Sequence, residues 1–268
     1  MAKASAPKKG GRRSDKLRIL VSNDDGINAP GLKVAEKIAR ALTSDVWVVA
    51  PETEQSGASH SLTLHEPLRM RKISSRRYAV RGTPTDCVIM AVNQILRDEK
   101  LPDLLISGVN RGTNIGEDVT YSGTVAAAME GTLLGIPSVA LSQSYTSPHP
   151  VKWGTAEHHG PLVMRKLLKE GWPENVLINV NFPDVIDSAV TELTVTVQGQ
   201  RDAANIFIDE RIDARSVPYY WIGFRRHRGV VDPKSDMAVV WGGGISVTPL
   251  HIDLTHIRTR QALEKALK

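Results

Sequence analysis

Across residues 17–182, apolar runs of strand length alternate with stretches of helical period, joined by short polar links. Residues 17–22 (LRILVS) read as a buried strand that enters the turn Asn23-Asp24-Asp25-Gly26. Pro30 opens a helix whose apolar face, Leu32, Ala35, Ile38, Ala39 and Leu42, recurs at three and four residues. Asp45–Pro51 (DVWVVAP) follows as a second buried strand. A strand, a helix and a strand on short links form a βαβ unit, which forces the two strands parallel with a right-handed crossover. The pattern then recurs: helices over residues 85–97, 124–134 and 161–168 precede strands over 103–107, 136–142 and Val176–Phe182. The predicted class is α/β, a doubly wound and mostly parallel sheet with helices on both faces.

Two stretches break the alternation. Residues 64–80 carry β-forming residues interrupted at Ser74-Ser75 and crowded with arginine and lysine, which predicts an exposed hairpin. From Thr191 on, Leu193, Val195 and Val197, and later Tyr219-Tyr220-Trp221-Ile222, predict antiparallel strands outside the parallel sheet. A late strand over 245–250 returns to the core, and a terminal helix follows from Thr255. At 268 residues the chain has room for such an appendage. The expected organisation is a basic tail (1–16), a core (17–190), a β-rich arm with the returning strand (191–250), and a C-terminal helical segment (251–268).

Charge locates the tail. Lysine and arginine outnumber aspartate and glutamate by 34 to 29. Residues 1–16 hold six of the bases and one acid, so the tail carries the whole excess and the rest is neutral. Basicity therefore gives no reason to expect nucleic acid at the core. The tail reads as solvated and disordered. Arg12-Arg13 are followed by Ser14-Asp15-Lys16 and then directly by a strand-like run, where an export signal requires an apolar h-region, and no run approaches membrane-spanning length. The single cysteine, Cys87, lies in an apolar stretch, so the expected compartment is the reducing cytoplasm.

In open α/β sheets ligands gather beyond the carboxyl ends of the strands. Those ends are polar here. The first delivers Asp24 and Asp25, the second leads to Ser56, and the third gives Ser107-Gly108-Val109-Asn110 and then Asn114. Adjacent carboxylates repel unless a cation joins them, and hard divalent ions take carboxylate, amide and hydroxyl oxygens, so Asp24 and Asp25 with Ser56 and Asn110 form a candidate metal set. Ser122-Gly123-Thr124 stands before a strong helix former, where free backbone N–H groups and two hydroxyls suit a phosphate or an ordinary helix cap. The chain lacks a P-loop, a dinucleotide fingerprint and a serine-hydrolase elbow. The histidines have no metal-binding spacing. A receiver module would need an aspartate where Ser107-Gly108 stands.

Five motifs in order, Asn23-Asp24-Asp25-Gly26, Ala50-Pro51 through Gln55-Ser56-Gly57, Gly82-Thr83-Pro84-Thr85-Asp86, Ser107-Gly108-Val109-Asn110 with Asn114, and Tyr121-Ser122-Gly123-Thr124-Val125, resemble the SurE family of nucleotidases. The resemblance implies a Rossmann-like core and a divalent-metal-dependent phosphatase acting on nucleoside 5′-monophosphates, with 3′-monophosphates as a second class. It implies one Mg2+ or Mn2+ per subunit on Asp24, Asp25, Ser56 and Asn110. Phosphate contacts fall on Asn114, Ser122, Gly123 and Thr124, and catalysis by metal-activated water falls on Asp24, Asp25 and Asn114. A homo-oligomer, dimer or tetramer, is implied through the C-terminal segment. The alternative reading of the same residues is a non-enzymatic nucleotide-binding or regulatory module.

Overall fold

The computed structural model describes residues 17–200, 206–224 and 231–268, so the basic tail lies outside the described residues. The first βαβ unit consists of β1 (Arg18–Ser22), α1 (Pro30–Arg40) and β2 (Asp45–Pro51). Then come β3 (Arg69–Ser74), β4 (Arg77–Arg81), α2 (Pro84–Met90), β5 (Leu104–Arg111), α3 (Gly123–Leu133), β6 (Ser138–Gln143), α4 (Trp153–Glu170) and β7 (Val176–Phe182). The chain ends with β8 (Leu193–Val195), the hairpin β9 (Ile206–Ile212) and β10 (Pro218–Phe224), α5 (Asp236–Trp241), β11 (Ile245–His251) and α6 (Ile257–Ala266).

Nine strands form one sheet in the order β3-β4-β2-β1-β5-β6-β7-β11-β8, antiparallel only where β3 meets β4 and β7 meets β11. From β1 the chain first winds outward through β2, then returns to β5 on the other side. The direction of winding therefore reverses between β1 and β5, the place where a crevice opens beyond the strand ends. Helices α1 and α4 cover one face, packing Leu32, Ala35, Ile38 and Met164 against Ile19, Ile106, Leu141 and Val180. On the other face α2 and α3 bring Cys87, Val88, Val125 and Ala128 onto Leu20, Leu105, Ala140 and Leu177. Strands buried on both faces read as the continuous apolar runs that marked them in the sequence.

Several expectations are corrected. Of the anticipated hairpin only β3 is exposed, as one edge of the main sheet; β4 pairs in parallel with β2 and buries Ala79 and Val80, so the hairpin belongs to that sheet. Leu193 and Val195 lie in β8, which joins the main sheet parallel to β11 instead of forming an antiparallel element outside it. The separate antiparallel pair is β9 with β10. The predicted helix at 161–168 lies in the second half of an 18-residue helix with Pro161 in its interior. Packing overrides the proline there: Gly160 lies so close to α1 that a Cβ would stand 2.5 Å from Ile38 Cδ1. Helix α5 went unread because six residues are too few to display a period.

Candidate active site

The turn after β1 is built by local hydrogen bonds and a close approach. Asn23 Nδ2 donates to Gly26 O at 3.0 Å, and Gly26 has φ near +99° with the carbonyl carbon of Thr53 3.2 Å from where a Cβ would sit. The backbone N–H of Gln55 donates to Asp24 O at 2.8 Å, which brings the loop carrying Ser56 against the acidic pair. The same loop is tied to the segment before α3 by Ser59 Oγ donating to Thr120 O at 2.7 Å.

Asp24 is buried against the N-terminus of α3. Its Oδ1 accepts from Thr124 Oγ1, and Gly123 is pressed so tightly on it that a Cβ would lie 2.8 Å from Asp24 Cβ. Burial pushes its carboxyl up to about 6; the Thr124 hydroxyl pulls the other way, and the neighbouring Asp25 charge adds to the rise. Asp25 is less enclosed. Burial raises its carboxyl too, opposed by the Arg111 backbone N–H, which donates to Oδ2 at 3.2 Å, while the Glu54 charge pushes upward. No lysine or arginine side chain among the described residues forms an ion pair with either carboxylate. Two acids are thus held next to each other at the switch point with no ion-paired cation, and only the Arg111 charge acts on Asp25 from beyond ion-pair range.

Asn110 ends the bulged stretch of β5, where Gly108 has φ near +128° and a Cβ would stand 2.2 Å from Leu141 O. Its Nδ2 donates to Gly112 O at 3.0 Å, which leaves the carboxamide oxygen free to act as a ligand. Ser56 is exposed, and its hydroxyl donates to Glu54 Oε1 at 2.8 Å. Ser122 caps α3 by accepting from the Val125 N–H at 3.0 Å. Asn114 is buried, with Nδ2 donating to Ser142 Oγ at 2.8 Å. Ser142 is the register partner of Asn110, so both asparagines stand over neighbouring strand ends.

The structure therefore brings Asp24, Gly123 and Thr124 into contact, sets Asp25 against the backbone next to Asn110, and places Ser56 one residue from an anchor to Asp24. Three described histidines are engaged away from it: His60 meets Glu130 on α3, His158 meets Asp187, and His256 caps α6. No group of three His, Cys, Asp or Glu able to hold a metal occurs among the described residues. A site using one hydroxyl and one amide beside two carboxylates is not such a group. Sequence reasoning missed Asn179 and Asn181, which reach Asn114 from β7. The one signal was two asparagines alternating within an otherwise apolar strand.

This fold and site define an α/β protein with a paired-carboxylate oxygen site set against a helix N-terminus at the point where the sheet winding reverses. A family model described as Survival protein SurE matches residues 19–205. The 5′-nucleotidase SurE of Parvibaculum lavamentivorans is 60% identical over 261 residues, 97% of this chain and 93% of that one. The same-named protein of Paramagnetospirillum magneticum is 62% identical over 250 residues, 93% of this chain and 95% of that one. The crystal structure of the SurE protein from Aquifex aeolicus superposes with a TM-score of 0.81 at 39% identity, over 94% of this chain and 100% of that chain. The chain belongs to the SurE family.

Proposed function

We propose that this protein is a divalent-metal-dependent phosphatase, a 5′-nucleotidase that hydrolyses nucleoside 5′-monophosphates to nucleoside and phosphate and also accepts 3′-monophosphates. The relatives named 5′-nucleotidase SurE support the substrate class. The observation that carries the chemistry is the contact between Asp24 and the N-terminus of α3. An anionic pair that attracts a cation and a helix end that attracts a phosphate are neighbours there.

The donor set fits a hard divalent ion such as Mg2+ or Mn2+, one per subunit. Asp24 and Asp25 would supply carboxylate oxygens, Asn110 its free carboxamide oxygen and Ser56 its hydroxyl. Such an ion, when bound, supplies Lewis acidity toward phosphoryl oxygen and lowers the pKa of water. The chain's own groups do the rest. Asp25, the more open of the two acids, is placed to take a proton, the amides at Ser122–Thr124 face developing negative charge, and Asn114 orients a phosphoryl oxygen.

Residues 17–190 would form the catalytic core. Residues 251–268 and the hairpin β9–β10 would join copies of the chain into a dimer or tetramer, because every residue from Asp253 to Lys268 is exposed and Tyr219, Tyr220 and Trp221 are 40%, 58% and 60% exposed. Cys87 is fully buried, and no described helix is long and apolar enough to cross a membrane; we assign the protein to the cytoplasm.

The deciding experiment follows phosphate release from a panel of nucleoside monophosphates, first with chelator and then with magnesium or manganese restored, beside Asp25→Asn. Release that returns with metal and is lost in the variant is the expected result. Saturable nucleotide binding with no turnover under any metal would establish a binding module instead.

A further inference from the structure

Strand β7 reads Val-Leu-Ile-Asn-Val-Asn-Phe, and its two faces differ in kind. Ile178, Val180 and Phe182 join the core under α1 and α4, whereas Leu177 faces α2 and α3. By the two-residue period of a strand, Asn179 and Asn181 share the face of Leu177, and both are fully buried. A carboxamide in that setting is costly unless its donors and acceptor are met.

Both turn their amide donors on one loop residue, and Asn179 Oδ1 is left without a hydrogen-bond partner among the described residues. Asn179 Nδ2 donates to Asn114 O at 2.7 Å and Asn181 Nδ2 to the same oxygen at 3.1 Å. Asn181 Oδ1 in turn accepts the Asn114 N–H at 2.8 Å. The Asn181 carboxamide thus engages the N–H and the C=O of Asn114 together, as a neighbouring strand would. Asparagine and glutamine carry a donor and an acceptor side by side at any ordinary pH, without needing a proton as a carboxylate does. Ser142, the register partner of Asn181 on β6, then orients the Asn114 side chain by accepting from its Nδ2. That bond engages one of the two amide hydrogens.

We propose that Asn179, Asn181 and Ser142 are positioning residues that hold Asn114 at the angle from which its carboxamide meets a phosphoryl oxygen. The inference rests on the phosphatase reading for its ligand, while the clamp itself is a property of the fold. Two side chains on β7 and one on β6 grip a residue more than 60 positions away in sequence from β7, so the loop after β5 is set by the far half of the sheet.

A double-mutant cycle on the full-length, metal-loaded protein tests this. Asn181→Leu keeps the branched outline and heavy-atom count of the side chain and removes both hydrogen bonds to the peptide; Ser142→Ala removes only the oxygen that orients the amide, and serves if the bulkier leucine folds poorly. We expect kcat/KM for a nucleoside monophosphate to fall about tenfold or more in Asn181→Leu and several-fold in Ser142→Ala, with neither loss recurring in an Asn114→Ala background. Amide exchange at residues 112–116 should quicken in Asn181→Leu while β1 and β5 stay protected. Losses that persist undiminished beside Asn114→Ala, or unchanged exchange, would overturn the proposal. If the wild type releases no phosphate, the enzymatic reading fails on its own. The clamp is then judged by exchange and by calorimetric binding of inorganic phosphate, which Asn181→Leu must weaken as much as Asn114→Ala does.

Discussion

Asp24 is the residue at which stability and function oppose each other. Its carboxyl sits near 6 in the fold against 3.8 for the free side chain, so in metal-free protein the neutral form is the one the fold prefers. That preference stabilises the native state fully below pH 4 and is lost as pH rises through 6, a change of about 3 kcal/mol. Asp24→Asn, which cannot ionise, should therefore melt higher than the metal-free wild type at pH 8, by roughly 5 °C or more, with the gap closing toward pH 4. Thermal unfolding in chelator at both pH values checks this, and an unchanged midpoint at pH 8 would mean the buried charge is already compensated. The same titration has the opposite sign for a bound cation, whose affinity should rise with pH across 6 because the ligand must shed its proton. Asp24 and Asp25 could be picked out from sequence because a paired acid after an apolar run is conspicuous. Their inequality could not, since it comes from the end of α3 covering one and leaving the other half open.

At the scale of elements, α3 is the part that makes the site. Gly123 is there for space: with φ in the ordinary range, what forbids a side chain is Asp24 Cβ, 2.8 Å from any Cβ, together with Pro84 Cγ at 3.1 Å. Gly123→Ala should push the helix end away from Asp24, break the Thr124 bond and cut turnover by about tenfold or more while the far-UV circular dichroism stays native. Wild-type rates from that variant would show that the close approach is not needed. A second element, α5, steadies the other end of the loop. Buried Asp236 accepts the N–H of Gly116 at 3.0 Å and that of Gly199 at 2.8 Å, so the root of the arm and the loop bearing Asn114 share one carboxylate. Neither contact has a local sequence signal. The bond to Gly116 spans 120 positions, and a six-residue helix shows no period by which to find it.

At the scale of the molecule, the core is closed and the periphery is not. Helix α6 buries none of its residues, and strand β10 of the hairpin exposes Tyr219, Tyr220 and Trp221. Ending the chain after Asp253 should leave the nine-stranded sheet and its melting cooperativity intact but lower the mass measured by light scattering to that of a smaller assembly. An unchanged mass would move the association surface to the hairpin. Periodicity was enough to determine the α/β class and the parallel strands β1, β2, β5, β6 and β7, because these depend on local spacing, and the rule that loops at carboxyl ends carry ligands singled out Asp24–Asp25, Asn110 and Ser122–Thr124 as candidates. The tertiary structure decided that β8 joins the main sheet, that α4 runs through Pro161, and that Asn179 and Asn181 reach across to Asn114. Each of these is a contact between segments distant in the chain, whose free energy outweighs a local preference and leaves no mark in the residues nearby.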